Sequence, residues 1–161
     1  MTQEEKQLLF RDLCARLPYS VIVQQSAKYP KGHIMYNVAD KWDTEPHDFK
    51  IIGVEGTNTL ITDKRKEERT YAKGIVSSPI TIRIHNGLTG QVVKPYLRLK
   101  SSMTEEESKE FALLQTDYVN GFLYPIAAIN MVNWLNEHYF DYHGLIEKGL
   151  ALEAPEGMYK L

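Results

Sequence analysis

The chain has 161 residues, of which 43% are hydrophobic and 25% charged, with a formal net charge of −2. That length buries one sizeable core, and that composition excludes an intrinsically disordered chain. The small net charge excludes a protein that acts as a bulk polycation or polyanion, although residues 1–100 hold 16 Lys/Arg against 11 Asp/Glu and residues 101–161 hold 3 against 10.

The chain opens polar and acidic, without the apolar core of a secretory signal, and no Asn-x-Ser/Thr sequon occurs; both features predict a cytoplasmic protein. Thr2 and Glu5 have capping-box spacing and predict a helix start. Phe10, Leu13, Cys14 and Leu17 follow at helical spacing, and Pro18 ends the helix. Cys14 is the only cysteine, so no internal disulfide forms, and its apolar neighbours predict a buried structural thiol.

Residues 19–99 read as strands and turns. Val21 and Val23 alternate, as do Ile34, Tyr36 and Val38 after the turn at Pro30 to Gly32. Phe49, Ile51 and Ile52 lead to Gly53 and Gly56, residues 59–62 are rich in β formers, and residues 71–76 are a weaker strand. The clearest strand is 79–85, with Ile80, Ile82 and Ile84 on one face. Asn86-Gly87 then predicts a type I′ hairpin, because both positions accept positive φ. Residues 91–93 are the return strand, ended by Pro95.

The remainder turns helical. Thr104 and Glu107 repeat the capping box, and Glu105 and Glu106 suit the positive end of a helix dipole. Phe111, Leu114 and Tyr118 form an apolar stripe, and Gly121 ends or bends the helix. Residues 122–135 are the most apolar stretch. They are too short to span a bilayer, include Pro125, Asn130 and Asn133, and predict a buried helix with Ala128, Met131, Val132, Leu135 and Tyr139 on one face. A short helical piece over 142–148 closes at Gly149, and the apolar tail 150–161 docks. One helix, then strands, then helices indicates a single α+β domain over 1–161: an N-terminal helix, an antiparallel sheet or small open β-barrel of five to seven short strands, and two to three C-terminal helices. The best candidate seam is Lys100–Ser102.

Chemistry-bearing clusters are sparse. Lys64, Arg65 and Lys66 are the one tight basic run, read as a solvated turn or hairpin tip; with Tyr36 and Trp42 they form the candidate binding set, since nucleic-acid surfaces interleave basic and aromatic side chains. The loop holding Asp40, Trp42, Asp43, His47 and Asp48 is a polar connector or a binding loop. His138, Asp141 and His143 have neither zinc-protease nor zinc-finger spacing, so no metal and no cofactor is predicted. No nucleophile-elbow, zincin or phosphate-loop motif occurs, which leans the reading away from an enzyme.

Three segments resemble a known set of proteins: residues 1–6 with 12–19, residues 94–98 with 101–107, and residues 134–136 with 140–159. They are similar to short uncharacterised proteins of Bacteroides-type gut bacteria and their prophages. The resemblance implies a shared frame of N-terminal helix, sheet and C-terminal helices around a variable strand region, and a cytoplasmic bacterial or phage setting. It implies no activity and no functional residue.

The sequence therefore predicts a non-catalytic accessory protein that binds a macromolecular partner, with protein favoured over nucleic acid and no membrane association. The alternatives are a nucleic-acid-binding small barrel, and a small hydrolase or transferase whose site is assembled from distant segments such as His47 with Asp43 or His138 with Asp141.

Overall fold

The computed structural model describes residues 1–26, 46–69, 75–86, 91–120 and 124–159. The fold is α+β: an N-terminal helix, an open and mostly antiparallel sheet, and C-terminal helices. The chain divides into two compact units, Met1–Pro95 and Tyr96–Leu161.

In the first unit, helix α1 spans Gln3–Ala15. Its start is the expected capping box: Glu5 N–H donates to Thr2 Oγ1 at 3.1 Å, and Thr2 N–H donates to Glu5 Oε2 at 2.6 Å. Pro18 ends it as expected, in a 3-10 turn over Leu17–Tyr19. The buried face differs from the one the apolar spacing predicts. Leu9, Asp12, Leu13 and Arg16 face inward, while Phe10, Cys14 and Leu17 are only half-buried. The shift follows from the Asp12–Arg16 ion pair, which lies one turn apart and lets two charged side chains enter the core together.

The strands are β1 (Ile22–Ser26), β2 (His47–Glu55), β3 (Thr59–Arg69), β4 (Ile75–Arg83), β5 (His85–Asn86) and β6 (Gln91–Leu97). They lie in the order β4-β3-β2-β1-β6-β5. Alternation selects the inward set, which includes Val21, Val23, Phe49, Ile51, Leu60, Ile82, Ile84 and Val93. Each such side chain contributes about 1.5–3 kcal/mol when fully buried. In β2 the pairing shifts by one residue between Ile51 and Gly53. Ile52 is therefore the extra residue of a bulge and faces solvent.

Four details of the strand region depart from expectation. The Lys64, Arg65, Lys66 run is not a turn: it lies within β3, with Arg65 opposite Pro79 and Lys66 opposite Ser78. Backbone pairing, unlike core packing, does not require apolar side chains, so the ribbon extends through the charged run. The Asn86-Gly87 pair does not form a two-residue hairpin. Asn86 pairs with Gln91, so the connection is four residues long. Pro95 does not end β6; it sits opposite Val23, and β5 reaches only to Val92, so no β5 partner needs the missing N–H. Lastly, the strand over 79–85 is split, with Ile84 between β4 and β5. The strand predicted at Ile34, Tyr36 and Val38 lies outside the described residues.

In the second unit, a 3-10 turn occupies Lys100–Ser102, the expected seam; the division falls earlier, after Pro95. Helix α2 (Glu105–Asn120) packs against helix α3 (Tyr124–Glu137). A short strand, β7 (Leu152–Glu153), pairs in parallel with Tyr96 and Leu97. That pairing docks the apolar tail, as Leu150 and Ala151 are buried. Among the described residues, no helix is long and apolar enough to cross a membrane.

Candidate functional site

The second unit is organised around Arg98. Its backbone N–H donates to Tyr139 O at 2.8 Å, and its carbonyl accepts from Asp141 N–H at 2.8 Å, so the residue is held as a single bridge beside Phe140. Its guanidinium donates to both oxygens of Glu107, at 2.6 and 2.8 Å, and to Ser102 O at 3.1 Å. Its carbon lies 4.4 Å from the Phe140 ring centroid, a cation–π contact.

Glu107 has a second task. It is the N3 residue of the α2 capping box, accepting from Thr104 N–H at 2.8 Å while its own N–H donates to Thr104 Oγ1 at 3.1 Å. The hydrogen-bonded Arg98 holds the Glu107 carboxyl below the usual glutamate range. Partial burial works against this, and the Thr104 amide and the nearby His138 assist it.

Aromatic side chains extend the cluster. Trp134 stacks on His138 with centroids 4.0 Å apart, on Phe140 at 5.7 Å, and meets Phe111 at 5.2 Å. Its indole N–H points to Glu110 at 3.4 Å. These contacts tie α2 to α3 with the geometry that aromatic quadrupoles favour.

A cleft of about 550 Å³ opens beside Arg98 and Glu107, with Ser102, Glu153, Glu156 and Tyr159 among its lining residues. Four of its polar side chains, Arg98, Ser102, Glu107 and Tyr159, are engaged in structural bonds, while Glu153 and Glu156 are exposed at its edge. Ser102 Oγ donates to Leu99 O, Tyr159 Oη donates to Tyr96 O, and Arg98 and Glu107 neutralise each other. General acid–base or nucleophilic chemistry needs such groups aimed at a substrate; these four hold the 3-10 turn, the tail and the helix start.

The histidine segment behaves similarly. His138 Nδ1 lies 2.9 Å from Trp134 O, and the Asp141 carboxylate accepts from the N–H groups of Leu145 and Ile146. His138 and Asp141 are thus spent on separate local turns. Among the described residues, no group of three His, Cys, Asp or Glu side chains is placed to hold a metal ion. Cys14 is half-buried, and burial pushes its thiol pKa up, away from a reactive thiolate.

The unexpected surface is α3. From Tyr124 to Asn136 the helix carries no charge, and the stretch reads as a buried helix. Of its expected inward face Leu135 is buried and Ala128 and Met131 are half-buried, but burial does not extend round the helix. Instead Ile126, Ile129 and Val132 are 52%, 57% and 41% exposed, and Leu113 of α2 is 67% exposed. The three α3 residues recur every third position and share one helix face. Leu135 and Asn136, in the last turn of the helix, are buried. An uncharged helix permits two readings, core or interface, and only exposure separates them.

Of the candidate binding residues, Lys64, Arg65 and Lys66 lie together on β3, whereas Tyr36 and Trp42 lie outside the described residues, as does Asp43, the suggested partner of His47. Compared with known proteins, the chain matches no protein family, no curated protein and no solved structure.

Proposed function

We propose that this protein acts by binding another protein, through the solvent-facing side of α3, and not by catalysis. The observation that carries the reading is the run Ile126, Ile129 and Val132, three large apolar side chains on one face, each more than two-fifths exposed. Single exposed apolar residues are ordinary; an aligned set on an uncharged helix face is the pattern of a recognition surface.

The occupant this surface favours is a partner with apolar side chains bordered by lysine or arginine. The neighbouring helix α2 exposes Glu105, Glu106 and Glu110, and residues 101–161 hold ten acidic against three basic side chains. A second copy brings the same acids and meets like charge. The cytoplasmic, bacterial or phage accessory role expected from the sequence is consistent with a partner-binding module.

The test compares tagged wild-type chain with Ile129→Asp. Both are incubated with nuclease-treated bacterial lysate, and the retained proteins are quantified by mass spectrometry. The expected result is a defined protein held by wild type and reduced at least about tenfold by the variant, with unchanged circular dichroism and melting temperature. Equal retention by the two chains, nucleic acid as the retained species, or self-association through this face in light scattering each overturns the reading.

A further inference from the structure

The first unit holds a second concavity, a groove of about 430 Å³ between one flank of α1 and the turn joining β2 to β3. Its helical wall follows from the rotation of the helix. Leu9, Asp12, Leu13 and Arg16 face the core, so positions 3, 6, 7, 10 and 11 turn onto the adjoining flank. The opposite wall is the turn. Gly56 takes φ +61°, a conformation other residues rarely adopt, and sets Thr57 and Asn58 beside the helix. Ile84 N–H fixes that turn by donating to Asn58 O at 2.9 Å.

The groove has a one-sided charge. Lys6 and Arg11 both line it, and among the described residues no carboxylate does. Neither cation pairs with an acid among the described residues, in contrast to Arg16, Arg98 and Lys109. Two of the three acids of the same helix are used elsewhere, Glu5 in capping the N-terminus and Asp12 in binding Arg16 in the core. The third, Glu4, is exposed and is not among the described residues that line the groove. Thr57, Asn58, Gln3 and Gln7 add neutral donors, and Phe10 supplies a half-buried ring.

We infer that this groove binds a small organic phosphate. Two uncompensated cations and several hydroxyl and amide donors match a group with three acceptor oxygens and a double negative charge. Arginine engages such a group through a planar fork, and lysine engages it as a point charge. Phe10 offers the organic part an apolar face. The groove lies within the range of about 300–1,000 Å³ typical of small-molecule sites. The inference is independent of the α3 surface, which belongs to the other unit.

The experiment is a titration of the full chain at low salt, followed by amide NMR shifts, with adenosine 5′-monophosphate, adenosine and inorganic phosphate as probes. Saturable binding of the monophosphate is expected, with shifts at Arg11, Thr57 and Asn58. Adenosine and inorganic phosphate each bind more weakly. Lys6→Gln/Arg11→Gln weakens the monophosphate at least about tenfold, whereas Lys109→Gln leaves it unchanged. Both groove cations are solvent-accessible, so the variant folds, and its amide spectrum checks this. The inference is overturned by any of four results: no saturation, equal binding of adenosine, equal binding of inorganic phosphate, or unchanged affinity in the double variant.

Discussion

Helices α1 and α2 begin with the same signature, Thr-x-x-Glu, and each carries an acid and a base four residues apart. Both capping boxes form, with backbone-to-side-chain distances between 2.6 and 3.1 Å. Beyond the first turn the two helices diverge. Asp12 and Arg16 of α1 have side chains 0% exposed, while Glu105 and Lys109 of α2 are 79% and 70% exposed. Between these limits, Arg98 and Glu107 are 17% and 12% exposed. Local sequence sets where a helix starts. The surrounding unit decides whether a charge pair is dry or wet, and that decision sets its energetic consequence.

The sharpest way to break this comparison is Asp12→Ala. It leaves the Arg16 guanidinium inside the core without its carboxylate, and a broken buried pair costs about 3–5 kcal/mol. Denaturant unfolding is the measurement. The double variant Asp12→Leu/Arg16→Met should lose less than Asp12→Ala, because it removes both charges and keeps most of the volume. A loss for Asp12→Ala as small as that of an exposed pair means that burial does not grade these interactions.

The intermediate case carries a pH signature. Glu107→Gln removes a charge-assisted pair and weakens a cap, for a loss of about 1–2 kcal/mol at neutral pH. Since Arg98 lowers the folded pKa of Glu107, folding favours the ionised form. That contribution is complete above the ordinary glutamate pKa of about 4.3. It is lost as pH falls from there through the lower folded pKa. The wild-type and Glu107→Gln stability curves therefore converge on acidification, and parallel curves contradict the assignment of Arg98 as the cause.

These contrasts also explain which parts were legible in the sequence. Capping boxes are written in four adjacent residues, and strand alternation in two, so both helix starts and the inward set around Val21, Val23 and Ile82 were readable. The length of the β3–β4 ribbon was not, because a charged strand such as Lys64 to Lys66 carries no apolar alternation. Nor was the four-residue connection after Asn86, because the favourable Asn-Gly turn lost to the register of β5 on β6. Arg98 gave no signal, since its partners at 102, 107, 139 and 140 come together only in the folded unit. The α3 face was misread for a different reason: an uncharged helix looks the same in sequence whether a core or a partner covers it. The α1 groove could have been found by asking which helical positions adjoin the buried stripe yet lack an acid at pairing distance.

The smallest expected effect gives the strictest check on the comparison. Glu105 and Lys109 are 3.0 Å apart, and on geometry alone they match the buried pair of α1. Their exposure means that water screens the attraction and that ordering Lys109 costs side-chain entropy. A double-mutant cycle over Glu105→Ala and Lys109→Ala should give a coupling of no more than about 0.5 kcal/mol, shrinking as salt rises. Glu105→Ala alone should lose slightly more than Lys109→Ala, because the acid also sits in the first turn, where the helix dipole favours it. A coupling above about 1 kcal/mol that persists in salt means that exposure does not grade these pairs, and the comparison between the dry pair of α1 and the wet pair of α2 then fails.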